Sequence, residues 1–263
     1  MSESGIPKPL LNRDYVLAPF HQLLSNCQGN VLMGLRLVEN IDSFPPPTPE
    51  EQQFLQLSFQ IMGITQVAHI EQSKTLFKRW MLTNGFEDIH SCLRVTLERL
   101  FVLKTVGSEL RQHPDLPVRE RELELGRTAS ELHFPPLLNR TNALFPEPLS
   151  CTEYMISLNS ARNSLVHTRG VVTERHCNTA EKDKLVVKGR RFRLFFKRDD
   201  VEVPAAIGKP GLENAALMLG AEDFAIEFAV GQTIELSLKQ FLDILNTCVF
   251  IRADIDVKFD DPR

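Results

Sequence analysis

The spacing of the apolar residues changes once along the chain, and that change limits the folds open to it. Up to Gly170 they recur at helical intervals, whereas from Lys184 onward they alternate. A helix repeats its buried stripe at i, i+3, i+4 and i+7, and a strand repeats each face every second residue. The sequence therefore predicts a mainly α protein. It resolves into a helical bundle over about 13–170 and 237–256, with a small antiparallel β insertion over about 184–230, all within a single domain spanning 1–263.

Tyr15, Val16, Phe20, Leu23, Leu24, Val31, Leu32, Leu35 and Val38 read as helical, with a break around Gly29, so one interrupted helix or two short ones would fit. Prolines 45, 46, 47 and 49 make a stiff connection. Thr48, Pro49, Glu50 and Glu51 then give a helix start: an N-cap threonine, a first-turn proline and two acids at the positive end of the dipole. That helix is expected to run to about Thr83 and to stop at Asn84-Gly85, with Phe54, Leu57, Ile61, Ile64 and Ala68 on one stripe. A third, over 87–112, turns Ile89, Leu93, Leu97, Leu100 and Phe101 inward. Beyond His113-Pro114, residues 119–132 read as a short solvated helix. Phe134-Pro135-Pro136 and Phe145-Pro146-Glu147-Pro148 predict extended or turning backbone, a long irregular excursion of the kind that serves as a lid or partner-binding loop.

Ser150 and Glu153 fit a capping box that opens a helix from about Thr152. On it Tyr154, Met155, Leu158, Ala161 and Leu165 share one stripe. Stepping about 100° per residue from Leu158 puts Asn163 near ~140° and His167 near ~180°, on a second surface, and Arg162 near ~40°, at the stripe margin. Arg162 thus leans inward and needs an acceptor there. An imidazole that moves protons near neutral pH, a guanidinium that forks onto phosphate oxygens and an amide that orients either are a usable set for phosphodiester chemistry. The same spacing also fits an Arg162 in a structural ion pair and a His167 that caps its own helix.

Arg162, Asn163 and His167 match the Arg-[Asn/Asp/His]-x-x-x-His motif, and the run from Arg169 to Asn178 is similar to one that follows it in uncharacterised bacterial members of the HEPN superfamily (higher eukaryotes and prokaryotes nucleotide-binding). The chain resembles that family. The resemblance implies a HEPN-like helical bundle, a homodimer in which two motifs face each other, and in many members metal-independent endoribonuclease activity on RNA with catalytic residues at the positions of Arg162, Asn163 and His167. Other members are non-catalytic binding modules. Toxin–antitoxin or phage-defence roles, with a regulatory protein partner, also occur to the family.

Between Lys182 and Arg198 eight basic residues face a single acid, Asp183. Alternation puts Arg191, Arg193 and Lys197 on one strand face, with Phe192, Leu194 and Phe196 on the core side. With Lys188 they would make an RNA-binding surface, or a solvated edge guarded by charge. Arg169 and Glu174 follow the motif closely enough to support it, Glu174 as an acceptor for Arg162 or Arg169. His167, His176 and Cys177 lack further ligands at metal-binding spacing, so neither a metal nor a cofactor is expected. The net charge of −4 excludes a generally basic nucleic-acid-binding surface. Five scattered cysteines, without a Cys-x-x-Cys pair, predict reduced thiols and a cytoplasmic location. No apolar run is long enough to span a membrane.

Overall fold

In a computed structural model of the chain, the described residues are 12–40, 48–50, 53, 70–198, 201–205 and 216–259. Helix α1, Arg13–Asn26, passes through a π-helical segment, Cys27–Leu32, into α2, Met33–Glu39. The break expected around Gly29 is thus a wider turn inside one continuous helical run. Next come α3, Ile70–Gln112, α4, Val118–Glu131, α5, Phe134–Asn142, and α6, Thr152–His167. Strands β1, Lys184–Arg198, β2, Val201–Pro204, and β3, Ala216–Ala229, form an antiparallel sheet in the order β2-β1-β3, and α7, Leu238–Phe259, follows. Mostly helix with one small antiparallel sheet is the class the periodicity predicts.

Helix α3 is 43 residues long, and α1, α4, α5 and α6 pack along it. Its inward residues Ile89, Leu93, Leu97, Leu100 and Phe101 join Phe20 and Leu23 of α1, Leu137 and Leu138 of α5, Met155 and Leu158 of α6, and Phe241 and Ile244 of α7 in one core. On α7 Phe241, Ile244 and Cys248 are buried, while Leu242 is exposed.

Asn84-Gly85 does not end a helix. The glycine lies inside α3 because a Cβ there would sit 2.5 Å from the Phe241 ring and 3.3 Å from Val31. Space for a ring, and not a change of backbone direction, explains it. The proposed stripe from Phe54 to Ala68 lies outside the described residues.

The prolines after His133 also behave differently from expectation. Pro135 and Pro136 occupy the first turn of α5, where a missing N–H breaks no helical hydrogen bond. Residues 118–131 form the solvated helix expected there, and Phe134, Leu137 and Leu138 are buried on a second helix, so the expected excursion is confined to the short stretch before α6. The capping box at Ser150 is not formed: Cys151 is the N-cap residue of α6, and its backbone N–H donates to Asp254 of α7 at 3.1 Å.

Strand β1 is held to α6 and α7 by two buried hydroxyls. Ser157 bonds the Lys188 backbone in both directions, at 3.0 and 3.2 Å, and Thr247 does the same for Arg190, at 3.1 and 3.2 Å. Between them Gly189 leaves no room for a side chain, since its Cβ would fall 2.3 Å from the Thr247 hydroxyl.

Gly85→Ala is expected to destabilise the protein by about 1–3 kcal/mol through overpacking against Phe241, even though alanine is the better helix former by about 1 kcal/mol. Urea denaturation measures this. A variant as stable as the parent would contradict the assigned role of the glycine.

Candidate active site at the end of the motif helix

Arg162 leaves α6 toward α3, where Glu87 receives it. Nε and Nη2 donate to Glu87 Oε2 at 3.1 and 3.0 Å, and Nη2 lies 2.9 Å from Oε1. The inward lean read from helix geometry thus ends on a carboxylate, one that sequence reasoning missed. Nη1 donates to Asn163 Oδ1 at 3.2 Å, so the cation holds the amide beside it. Next to this pair stands His90, one helical turn beyond Glu87, with its ring 5.3 Å from that of Phe134. Its imidazole is pushed down to about 4, first by burial and then by the Arg162 guanidinium, with Glu87 and a hydrogen bond to Asn159 opposing. Only the i, i+3 spacing of Glu87 and His90 was available as a signal, and it is common on helices.

His167 is the last residue of α6. Its side chain is exposed and has no hydrogen-bond partner among the described residues. It does not cap its own helix. Thr168 does that, its N–H and hydroxyl both donating to the Ser164 carbonyl, at 3.1 and 2.8 Å. The chain then turns through Arg169, exposed and left-handed at φ 54°, and Gly170 at φ 82°. The Gly170 N–H reaches back to Ser164 at 2.9 Å, and the Gly170 carbonyl accepts from Ile234 at 2.8 Å. These bonds tie the end of α6 to the connection between β3 and α7, so the imidazole projects from a fixed corner.

Glu174 opens a short 3-10 turn, Glu174–His176, and is exposed. It is not the acceptor of Arg162, a place filled by Glu87. His176 is 5% exposed; its Nδ1 closes a capping box with Thr173, while its buried Nε2 has no partner among the described residues. Burial, then Arg175 and His167, lower its basicity. Among the described residues no group of acids, histidines and cysteines is placed to hold a metal.

The basic strand differs from its expected form. The period is two, but the faces are exchanged: Phe192 and Leu194 are 41% and 49% exposed, and Phe195, on the face of Arg191 and Arg193, is buried with Leu185 and Val187. That face is set by Leu185 and Val187 seating on the helices, which fixes the parity of every later residue. The cations are also matched. Lys188 pairs with Glu153 at 2.8 Å, Arg190 with Asp223 at 2.7 Å, and Arg191 with Glu222 at 2.7 Å and Asp243 at 3.1 Å; Arg193 pairs with Glu202. Lys197, near the far end of β1, is exposed. The single acid within the run misled because the neutralising carboxylates come from β2, β3, α6 and α7.

His90 carries a pH prediction. Its native imidazole binds a proton near pH 4 and the unfolded one near 6.5, so between those values the unfolded state holds more protons. Stability is therefore fully present above about 6.5 and lost as pH falls toward 4. Denaturation midpoints against pH are expected to show a steeper acid-side loss for the parent than for His90→Gln; parallel curves would contradict it.

A scan against models of known families, a search of curated proteins and a search of solved structures return no match to this chain, so any functional reading rests on the side chains at the end of α6 and the partners the fold gives them.

Proposed function

We propose that the chain is a HEPN-like, metal-independent endoribonuclease that works as a homodimer. The observation that carries this reading is the exposed imidazole of His167, without a hydrogen-bond partner among the described residues, at a fixed helix end on the same helix as an Arg162–Asn163 pair already oriented by Glu87. In the reaction, His167 of one copy takes the proton from a ribose 2′-hydroxyl. The new O2′–P bond forms as the P–O5′ bond breaks, giving a 2′,3′-cyclic phosphate, and the second copy's imidazole returns a proton to the leaving 5′-oxygen. Arg162 stabilises the charge on the phosphoryl oxygens. A guanidinium has five N–H donors, two of them on Nη1, so one Nη1–H stays available to phosphate after Asn163 has taken the other. Asn163 orients the phosphate or the imidazole. A toxin or defence role under a regulatory protein, in the cytoplasm, is the biological setting that goes with this activity.

A second reading, a non-catalytic HEPN-type module that binds a protein, nucleotide or nucleic acid, is favoured by the charge matching. Lys188, Arg191 and Arg193 are each paired with a carboxylate, so RNA binding through those three must displace an acid, and Arg162 offers only the donor that Glu87 and Asn163 leave. The exposed Lys188–Glu153 pair is worth only about 0–1 kcal/mol, so phosphate can compete for it, whereas Arg162 and Arg191 are half-buried with their acids.

Purified protein in EDTA is expected to cleave RNA to cyclic-phosphate ends, and His167→Ala to lose roughly 10²–10⁴-fold of that rate. Arg162→Ala should lose activity too, with circular dichroism showing that the fold survives the stranding of Glu87. Absence of cleavage by the parent on structured and unstructured RNAs would favour the binding module.

A further inference from the structure

Away from the motif, the C-terminal third of α3, the loop after α5 and the end of α7 enclose a cleft of about 460 Å³. Its size is in the ordinary range for small-ligand sites, about 300–1,000 Å³. Lys104, Arg111 and Lys258 line it, and no acidic residue does so among the described residues. That sets it apart in a chain of net charge −4. The clefts beside α1 and α4 mix their cations with Asp88, Glu98 or Glu122, and the cations of the sheet have carboxylate partners. Here Lys258 has a long contact, 3.5 Å, with Glu147, whose side chain is 87% exposed, and Arg111 has no ion pair among the described residues.

Two rings stand among these charges. Lys104 Nζ lies 5.1 Å from the centre of Phe145 and 5.6 Å from that of Phe259, and donates to the Lys258 carbonyl at 3.0 Å. Gly107 supplies a separate observation. It sits inside α3 where alanine would be better by about 1 kcal/mol, and a Cβ there would meet nothing within 4 Å. Gly85, on the same helix, makes room for Phe241; the room above Gly107 is the cleft itself. Helix dipoles account for a cation in the last turn of α3 and of α7, at about 0.3–1 kcal/mol each. They do not account for Lys104, the rings or the open glycine.

We propose that this cleft binds a small organic anion in which a planar ring carries a phosphate or a carboxylate. The anionic group rests on Arg111 and Lys258 with Lys104 beside them, and the ring packs on Phe259 and the small exposed edge of Phe145, over the bare backbone at Gly107. None of the cleft's lining residues belongs to α6, so the site stands or falls independently of the ribonuclease reading.

Isothermal titration of the full chain with phenyl phosphate and with benzoate tests it and separates the two anion types. Phenol and inorganic phosphate serve as half-ligand probes. Saturable 1:1 binding of at least one ring anion is expected, weakened at least ~10-fold, about 1.4 kcal/mol, for either half alone. Gly107→Leu fills the cleft without a clash at Cβ and should abolish binding with an unchanged or raised melting temperature. Arg111→Gln, at an exposed position, should weaken it ~10-fold or more and decides the matter if the leucine variant fails to fold. Failure of both ring anions to bind, or binding that survives these substitutions, would overturn the proposal.

Discussion

The contact on which the candidate site depends is the fork between Arg162 on α6 and Glu87 on α3. A guanidinium directed from the margin of a core stripe must find a carboxylate, and this one finds it 75 positions earlier in the chain. The pair fixes α6 on the central helix and turns the Asn163 amide, and the neighbouring His90 is kept neutral over a wide range of pH first by burial and then by the Arg162 guanidinium, against Glu87. It also sets the terms of any phosphate chemistry: the cation is oriented in advance, but a competing anion is already in place. His167, by contrast, escapes the core because Thr168 and Gly170 close the helix behind it.

The sheet follows a related logic. Its inner end joins the core through Leu185, Val187 and Phe228, and its strand backbone is bonded by Ser157 and Thr247 at the point where Gly189 lets it approach α7. Farther out, arginines of β1 meet acids of β2 and β3 across the ladder, with Arg191 bridging to Asp243. Cross-strand opposite charges of this kind stabilise the pairing, and they also cancel much of the positive field that the strand would otherwise present.

Local signals were legible in the sequence, and long-range ones were not. The inward stripe from Ile89 to Phe101 and the strand beginning at Lys184 follow from spacing alone, because each records which way neighbouring side chains point; the break expected around Gly29 is instead a π-helical segment in a continuous helix. Gly85 reads as a stop when the partner that requires it, Phe241, is far along the chain. Pro135 and Pro136 read as irregular backbone, although a first helical turn accepts them. At the candidate site, helix angles correctly sent Arg162 inward and His167 outward, but they could not name Glu87 or His90. The charge run misled for the same reason: its partners are distant in sequence.

The central claim is that RNA phosphate comes to rest beside the imidazole of His167. Proton NMR of the histidine ring resonances, with His167 assigned through its alanine variant, tests it directly against a non-cleavable 2′-deoxy oligonucleotide. The account predicts saturable shifts of the His167 signals while those of His90, shielded behind Arg162 and Phe134, move less. Resonances of His167 that stay still at saturating oligonucleotide would contradict it.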